Sequence, residues 1–237
     1  MPRPWTVTRH DPIEKIDENL WGVSGDVPGF PRAARFHRRM QIVKLSNGRL
    51  VFHNAVPLGD AALAEVRAWG KPSILIVPHH LHALDAFGFQ AKLGLSVFTA
   101  SPAVEKVRAI VKVDGTLDEL PEDPALRCEP LKGTKFGEAA YVVRTGPRAS
   151  LIFCDAITNS RPGEGFAGFM FRLLGVCGAE PRMAGAYKLR AVSDKAALKR
   201  DLLRLADTPG LVRMVPSHGE IVTQDPAGAI RRAADRA

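Results

Sequence analysis

Apolar residues in this chain fall into short runs broken by turn-forming residues, and the runs read in alternation as strands and helices. QIVKL and RLVFH flank Ser46-Asn47-Gly48, so two apolar stretches meet at a turn that tolerates positive φ and predict a β-hairpin over 41–53. Upstream, IEKIDENLWGVSG (13–25) predicts a further strand or pair of strands. Helical periodicity first appears in GDAALAEVRAWG (59–70), where Leu63, Val66 and Trp69 recur at spacing three, Asp60 stands as the N-cap and Gly70 as the stop. SILIVP (73–78) then reads as a buried strand, ALDAFGFQAKL (83–93) as a helix, LSVFTA (95–100) as a strand, and PAVEKVRAIV (102–111) as a helix entered through Ser101-Pro102.

The second half repeats the alternation. AAYVVRTGPRASLIFCD (139–155) predicts two strands about a Gly146-Pro147 turn, SDKAALKRDLLRLAD (193–207) a helix capped by Ser193, and GLVRMVP (210–216) a last strand. DPAGAIRRAADRA (225–237) closes as a helix with Asp225 as cap and Pro226 at its first position. Hairpins followed by alternating strands and helices predict an α/β fold, α+β by some schemes. RPGEGFAGFMFRLLGVCG (161–178) is apolar nearly all round. Its ordinary reading is core, and its alternatives are a pocket cover, a dimer contact or a membrane-surface patch.

Composition narrows the picture. With 237 residues, 46% hydrophobic and 24% charged, the chain can bury one sizeable core, and no repeat, low-complexity tract or charge block marks a linker, so a single domain over 1–237 is expected. No run approaches the roughly 18–20 apolar residues of a membrane span, and MPRPWTVTRHDP lacks the apolar core of a secretory signal, which makes the cytoplasm the expected location. Cys128, Cys154 and Cys177 are odd in number and widely spaced, and read as reduced, packed thiols rather than as a disulfide framework or thiolate site.

Polar groups stand at the carboxyl ends of the most apolar strands. SILIVP runs into His79, His80 and His82, ASLIFC into Asp155, and GLVRMVP into Ser217-His218-Gly219. In open α/β sheets, ligands collect outside such strand ends. Two imidazoles one residue apart in an extended loop, His80 and His82, can face one cation, and neutral imidazole and carboxylate are usual ligands of zinc and iron. Asp155 would balance the ion's charge and His218 complete the shell. Asp85 would ligate, or take a proton from a water that a divalent ion acidifies to hydroxide near neutral pH. The competing reading is structural: a strand-end histidine is commonly a hydrogen-bonded scaffold residue, and an aspartate there a cap or turn. His10, His37 and His53 lack this context and read as solvent-facing or packing residues.

The order HxH after a strand, LIFCD after another and VPSHG after the last resembles the metallo-β-lactamase-fold hydrolases, and the hairpin QIVKLSNGRLVFHN is similar to their early strand pair. RLVFHNAVPL, IVPHHLH, LKGTKFGE, LIFCDAITN and VPSHG are most similar to a divergent bacterial branch, over roughly residues 40–237. The resemblance implies an αββα sandwich with a metal site at one sheet edge and ligand roles for His80, His82, Asp155 and His218. It also has gaps. The pattern HxHxDH ends here in Leu84 and Asp85, LKGTKFGE (131–138) stands where a GHTPGH-like segment carries a histidine, and the neighbourhood of His53-Asn54 replaces an early aspartate. One ion is therefore expected rather than two, zinc first with iron or manganese as alternatives, held by some of His80, His82, Asp85, Asp155 and His218. Lys132 and Lys135 in the altered segment read as exposed loop lysines, with a clamp on an anionic substrate as the alternative.

The leading expectation is a metal-dependent hydrolase using metal-bound hydroxide on an ester, amide or phosphoester of a small molecule, anionic ones included. A non-catalytic member of the fold that uses the same side chains to bind a ligand is the first alternative. The second, a nucleic-acid-processing protein, rests on the formal charge of +8, the sequence pI of 9.7 and superfamily analogy. The densest basic run, PRAARFHRR (31–39), lacks the basic and aromatic repeats of a single-strand platform and reads as a solvated loop or pocket rim.

Overall fold

The computed structural model describes residues 2–29, 37–161, 169, 170, 172, 173, 175 and 177–236. The chain divides into two compact units, Met1–Gly25 with Arg39–Cys128, and Asp26–Arg38 with Glu129–Ala237.

In the first unit, strands β1 (Glu14–Asp17), β2 (Leu20–Asp26), β3 (His37–Lys44) and β4 (Arg49–His53) are followed by helix α1 (Asp60–Trp69) and β5 (Lys71–Val77). Helix α2 (Ala86–Leu93), β6 (Ser96–Thr99), helix α3 (Val104–Arg108) and β7 (Gly115–Thr116) complete it, and β1 to β7 lie in sequence order in one sheet. β1 with β2 and β3 with β4 are antiparallel, whereas β4, β5, β6 and β7 run parallel. Parallel neighbours need crossovers, and α1, α2 and α3 supply them. The expected hairpin forms, and Gly48 in its turn takes φ of +80°. Gly59, not Asp60, occupies the N-cap of α1. The helix expected over 83–93 begins only at Ala86, because His80–His82 first forms a 3-10 turn. The one expected over 102–111 is a 3-10 turn at Ser101–Ala103 and then the short α3.

The core of this unit gathers Leu50, Phe52, Leu75, Val77, Phe89 and Val97 among its buried residues. Trp21 and Trp69 stack with ring centroids 3.9 Å apart, and Lys15 and Lys44 lie over the outer ring faces. The N-terminal segment is held down as well: Trp5 packs on Phe89 at 4.8 Å, and Phe89 meets Phe52 edge-on at 5.8 Å. Arg38 and Arg39, expected in a solvated loop or pocket rim, are buried in β3, where Arg39 Nη1 bonds Glu14 at 3.0 Å; residues 31–36 of that basic run lie outside the described residues.

The second sheet holds β8 (Leu126–Pro130), β9 (Ala139–Thr145), β10 (Arg148–Phe153) and β11 (Leu211–Pro216) in the order β11-β10-β9-β8. β9 and β10 form the expected hairpin, with Gly146 at φ of +56°, and β10 runs parallel to β11. Helices α4 (Gly185–Ala191) and α5 (Lys195–Ala206) lie in that crossover, and α6 (Pro226–Asp235) follows β11. Asp194 rather than Ser193 caps α5, accepting from Ala197 N at 3.0 Å, while Asp225 caps α6 as expected. α5 turns Leu198, Leu202 and Leu205 inward and α6 turns Ala229, Ile230 and Ala233 inward, so each buries one stripe at helical spacing. In the segment 161–178, Phe169 and Leu173 are exposed rather than core; positions 162–168, 171, 174 and 176 lie outside the described residues.

Gly88 is where the N-terminal segment touches α2 most closely, since a Cβ there would stand 2.6 Å from Trp5 N and 2.8 Å from the Pro4 carbonyl carbon. Backbone cannot rotate aside as a side chain does. Gly88→Ala is expected to lower unfolding free energy by about 1–3 kcal/mol in a urea titration, the usual cost of overpacking. A variant as stable as the parent would contradict that packing.

Candidate functional site

The first unit presents imidazoles at the ends of two adjacent parallel strands. The last four residues of β5, Ile74 to Val77, are fully buried, and they carry the chain into an extended His79 and then the 3-10 turn His80–His82. His82 N donates to His79 O at 2.9 Å. A 3-10 turn takes about three residues, so side chains at i and i+3 eclipse. His79 and His82 therefore lie together, with ring centroids 4.9 Å apart, planes at 86° and ring nitrogens within 4.8 Å of each other. Both are buried, whereas His80 is partly exposed and its ring stands 6.1 Å from His79. His80–His82 is thus a 3-10 turn rather than the expected extended loop, and in this unit His79 joins His82.

His53 closes β4 beside this turn and is also buried, with Nδ1 donating to Gln41 Oε1 at 2.7 Å. Burial pushes its pKa down to about 3, and His82 and His79 add to the effect, so it is a neutral imidazole at ordinary pH. The pKa of His80 is lowered too, first by burial and then by Lys106 and His79. Asp85 precedes α2 with its carboxylate fully buried and Oδ1 3.4 Å from Arg3 Nη1.

The second unit presents acidic and thiol groups. β10 ends at Phe153, whose carbonyl accepts from Ser217 N at 2.8 Å, and Cys154 and Asp155 follow as the chain leaves the sheet. The Cys154 sulfur and an Asp155 carboxylate oxygen lie within 4.8 Å of each other. Burial raises the Cys154 thiol well above its ordinary value, and the negative charges of Asp155 and Glu138 raise it further. A nearby dication would reverse that sign and favour thiolate. His218 Nδ1 donates to the His37 carbonyl at 2.8 Å, which turns Nε2 toward Asp155 Oδ1 at 3.4 Å. A carbonyl only accepts, so this contact fixes which nitrogen bears the proton.

Glu138 belongs to the same group. It leaves a loop cinched by Thr134, whose hydroxyl donates to Leu131 O and accepts from Glu138 N, each at 3.0 Å. Its buried carboxylate accepts through Oε1 from Asp155 N at 3.0 Å and from Tyr187 Oη at 2.8 Å. Burial, and then the neighbouring carboxylates, push the Tyr187 phenol far above its ordinary value, so it stays a donor. Lys132 and Lys135 in the same loop are exposed, as expected.

Within their units, then, His82 is joined by His79, and Asp155 and His218 adjoin each other with Cys154 and Glu138 beside them. Among residues that sequence reasoning did not single out as ligands, His79 carried a usable signal, its i, i+3 spacing to His82, and Cys154 another, its place beside Asp155. Glu138 carried none. Imidazole, thiol and carboxylate are the donors zinc takes, and His79 with His82 in the first unit and Cys154 with Asp155 in the second are candidate ligands for a divalent metal.

Buried His53 makes the metal-free protein acid-sensitive. The unfolded chain takes up this proton below about pH 6.5 and the folded one only near pH 3, so stability falls by up to about 1.4 kcal/mol per pH unit across that window. His53→Gln is expected to flatten the slope of urea-unfolding free energy against pH between 6 and 4 by about that amount. An unchanged slope would place the acid sensitivity elsewhere.

No protein-family model matches the sequence, and no curated protein does. Solved structures do match along the whole chain. DIM-1 metallo-β-lactamase exposed to ceftazidime aligns with a TM-score of 0.64 at 13% identity, covering 98% of this chain and 99% of that one. A metallo-β-lactamase from Pontibacter korlensis gives 0.60 at 12%, covering 97% and 100%, and the mono-zinc form of FIM-1 from Pseudomonas aeruginosa gives 0.60 at 13%, covering 99% and 96%. The chain therefore has the metallo-β-lactamase fold, an αββα sandwich, in a sequence far diverged from those enzymes.

Proposed function

We propose that this protein is a metal-dependent hydrolase that holds one divalent ion, zinc in the first instance, through His79, His82, Cys154 and Asp155. What carries the reading is the donor chemistry at two strand ends, a pair of buried imidazoles in the first unit and a buried thiol beside a carboxylate in the second, on a fold shared with metallo-β-lactamases. When bound, such an ion supplies a Lewis acid and lowers the pKa of a water beside it.

The chain's own groups take distinct parts. His218, its tautomer fixed by the His37 carbonyl, presents Nε2 as an acceptor nitrogen beside Asp155, which suits the ligand role implied by the resemblance. Asp85, buried with Arg3 Nη1 3.4 Å away, is engaged in that ion pair rather than in moving a proton. His80, partly exposed and with a lowered pKa, is the group placed to accept one. The substrate is a small molecule, and the formal charge of +8 favours an anionic one by drawing it in from solution. Of the basic run, Arg38 and Arg39 are buried in β3. No described helix is long and apolar enough to cross a membrane.

Protein purified without a histidine tag is expected to contain about one equivalent of zinc, iron or manganese. His79→Ala and His82→Ala should each remove the metal together with any hydrolase activity, while His80→Ala keeps the metal. Less than about a tenth of an equivalent in the parent would favour a hydrogen-bonded, non-catalytic cluster instead. Metal loss in His80→Ala equal to that in His79→Ala would restore the extended pair.

A further inference from the structure

We infer that Glu138 is a positioning residue for the candidate metal site: gripped by Tyr187, its carboxylate holds the Asp155 main chain and so sets where the Asp155 side chain points. The inference rests on the metal reading above and extends it to a residue outside the ligand set.

The sheet stops short of Asp155. β10 pairs with β11 as far as Phe153 and Pro216, and the last ladder bond beyond that pair runs from Ser217 N to Phe153 O. Asp155 has left the strand, so its N–H needs an acceptor from elsewhere, and Glu138 Oε1 provides one at 3.0 Å. The same oxygen accepts from Tyr187 Oη at 2.8 Å, and the phenol, kept protonated by its burial, cannot turn into a competing anion.

Both ends of this bridge are themselves fixed. Thr134 bonds the main chain on either side of the loop, Leu131 N donates to Glu138 O at 2.8 Å, and Gly133 packs so tightly on the Asp194 carbonyl that no side chain fits there. Tyr187 sits on α4 with its ring edge-on to Phe136 at 5.7 Å. With its amide tied down in this way, Asp155 can move its carboxylate only by rotating its own side chain, and His218 Nε2 faces that carboxylate at 3.4 Å. Glu138 thus acts on the site through Asp155, and its test must separate hydrogen-bond geometry from charge and from mere folding.

Glu138→Gln keeps an acceptor oxygen but loses the charge, Glu138→Leu loses both, and Tyr187→Phe removes one donor and keeps the ring. Zinc affinity measured by chelator competition, with the visible spectrum of the cobalt(II) form, should show Glu138→Gln close to the parent, with the parent's spectrum. Glu138→Leu should bind about 10–100-fold more weakly with a shifted spectrum, which a role confined to stability would not produce in folded protein. If Glu138→Leu does not fold, Tyr187→Phe decides, with weaker zinc binding expected and unchanged binding overturning the inference. Parent-like affinity in Glu138→Leu would overturn it, as would equal losses in the Gln and Leu variants, which would assign the effect to charge. A parent that binds no zinc, iron or manganese sinks the metal reading. Hydrogen exchange at the Asp155 amide then decides the positioning role, which fails if exchange is as slow in Glu138→Leu as in the parent.

Discussion

A side chain that can carry charge must, once removed from water, either give up the charge or find a partner for it, because isolated burial costs several kcal/mol. The strand ends of this protein are organised around that constraint. His53 gives up its charge, lying against Gln41 with its pKa driven down to about 3. Cys154 keeps its proton for the same reason. Asp85 takes Arg3 as a partner, and Glu138 takes an amide and a phenol. The strands that deliver these groups are fully buried along their last residues, so the chain cannot slide to relieve a mismatch without moving its core. A dication would offer such buried donor groups a partner, which is the physical content of the metal proposal.

Much of the architecture was legible in the pattern of apolar residues. The hairpins at 41–53 and 139–153, the strands at 73–78, 95–100 and 210–216, and the helices at 59–70 and 193–207 all occur with small shifts at their ends, because each pairs a clear period with a turn residue or cap. What was not legible depends on geometry that periodicity does not encode. The 3-10 turn at His80–His82 brings His79 against His82, and HHLH alone does not distinguish an extended loop from a turn. Glu138 looks like any loop glutamate until Thr134 and Tyr187 are seen to fix it. The N-terminal segment was read only for the absence of a signal, yet it packs on α2 and places Arg3 at Asp85.

The likeness to metallo-β-lactamases stands on fold, at 12–13% identity, and a fold hosts many chemistries. What this chain itself shows is the donor chemistry at its strand ends. One imidazole pair is spaced three apart, a thiol adjoins the carboxylate, and a second carboxylate occupies the segment where the resemblance would have a histidine. Thiolate favours a borderline-soft ion such as zinc over manganese, so the identity of the metal follows from whether Cys154 binds it.

That point is also the most direct test. X-ray absorption at the zinc edge of the purified protein reads the ligand shell without any knowledge of a substrate. The account predicts one sulfur at about 2.3 Å together with nitrogen and oxygen neighbours at about 2.0–2.2 Å, including imidazole. A zinc shell of nitrogen and oxygen alone, with no sulfur, would contradict it.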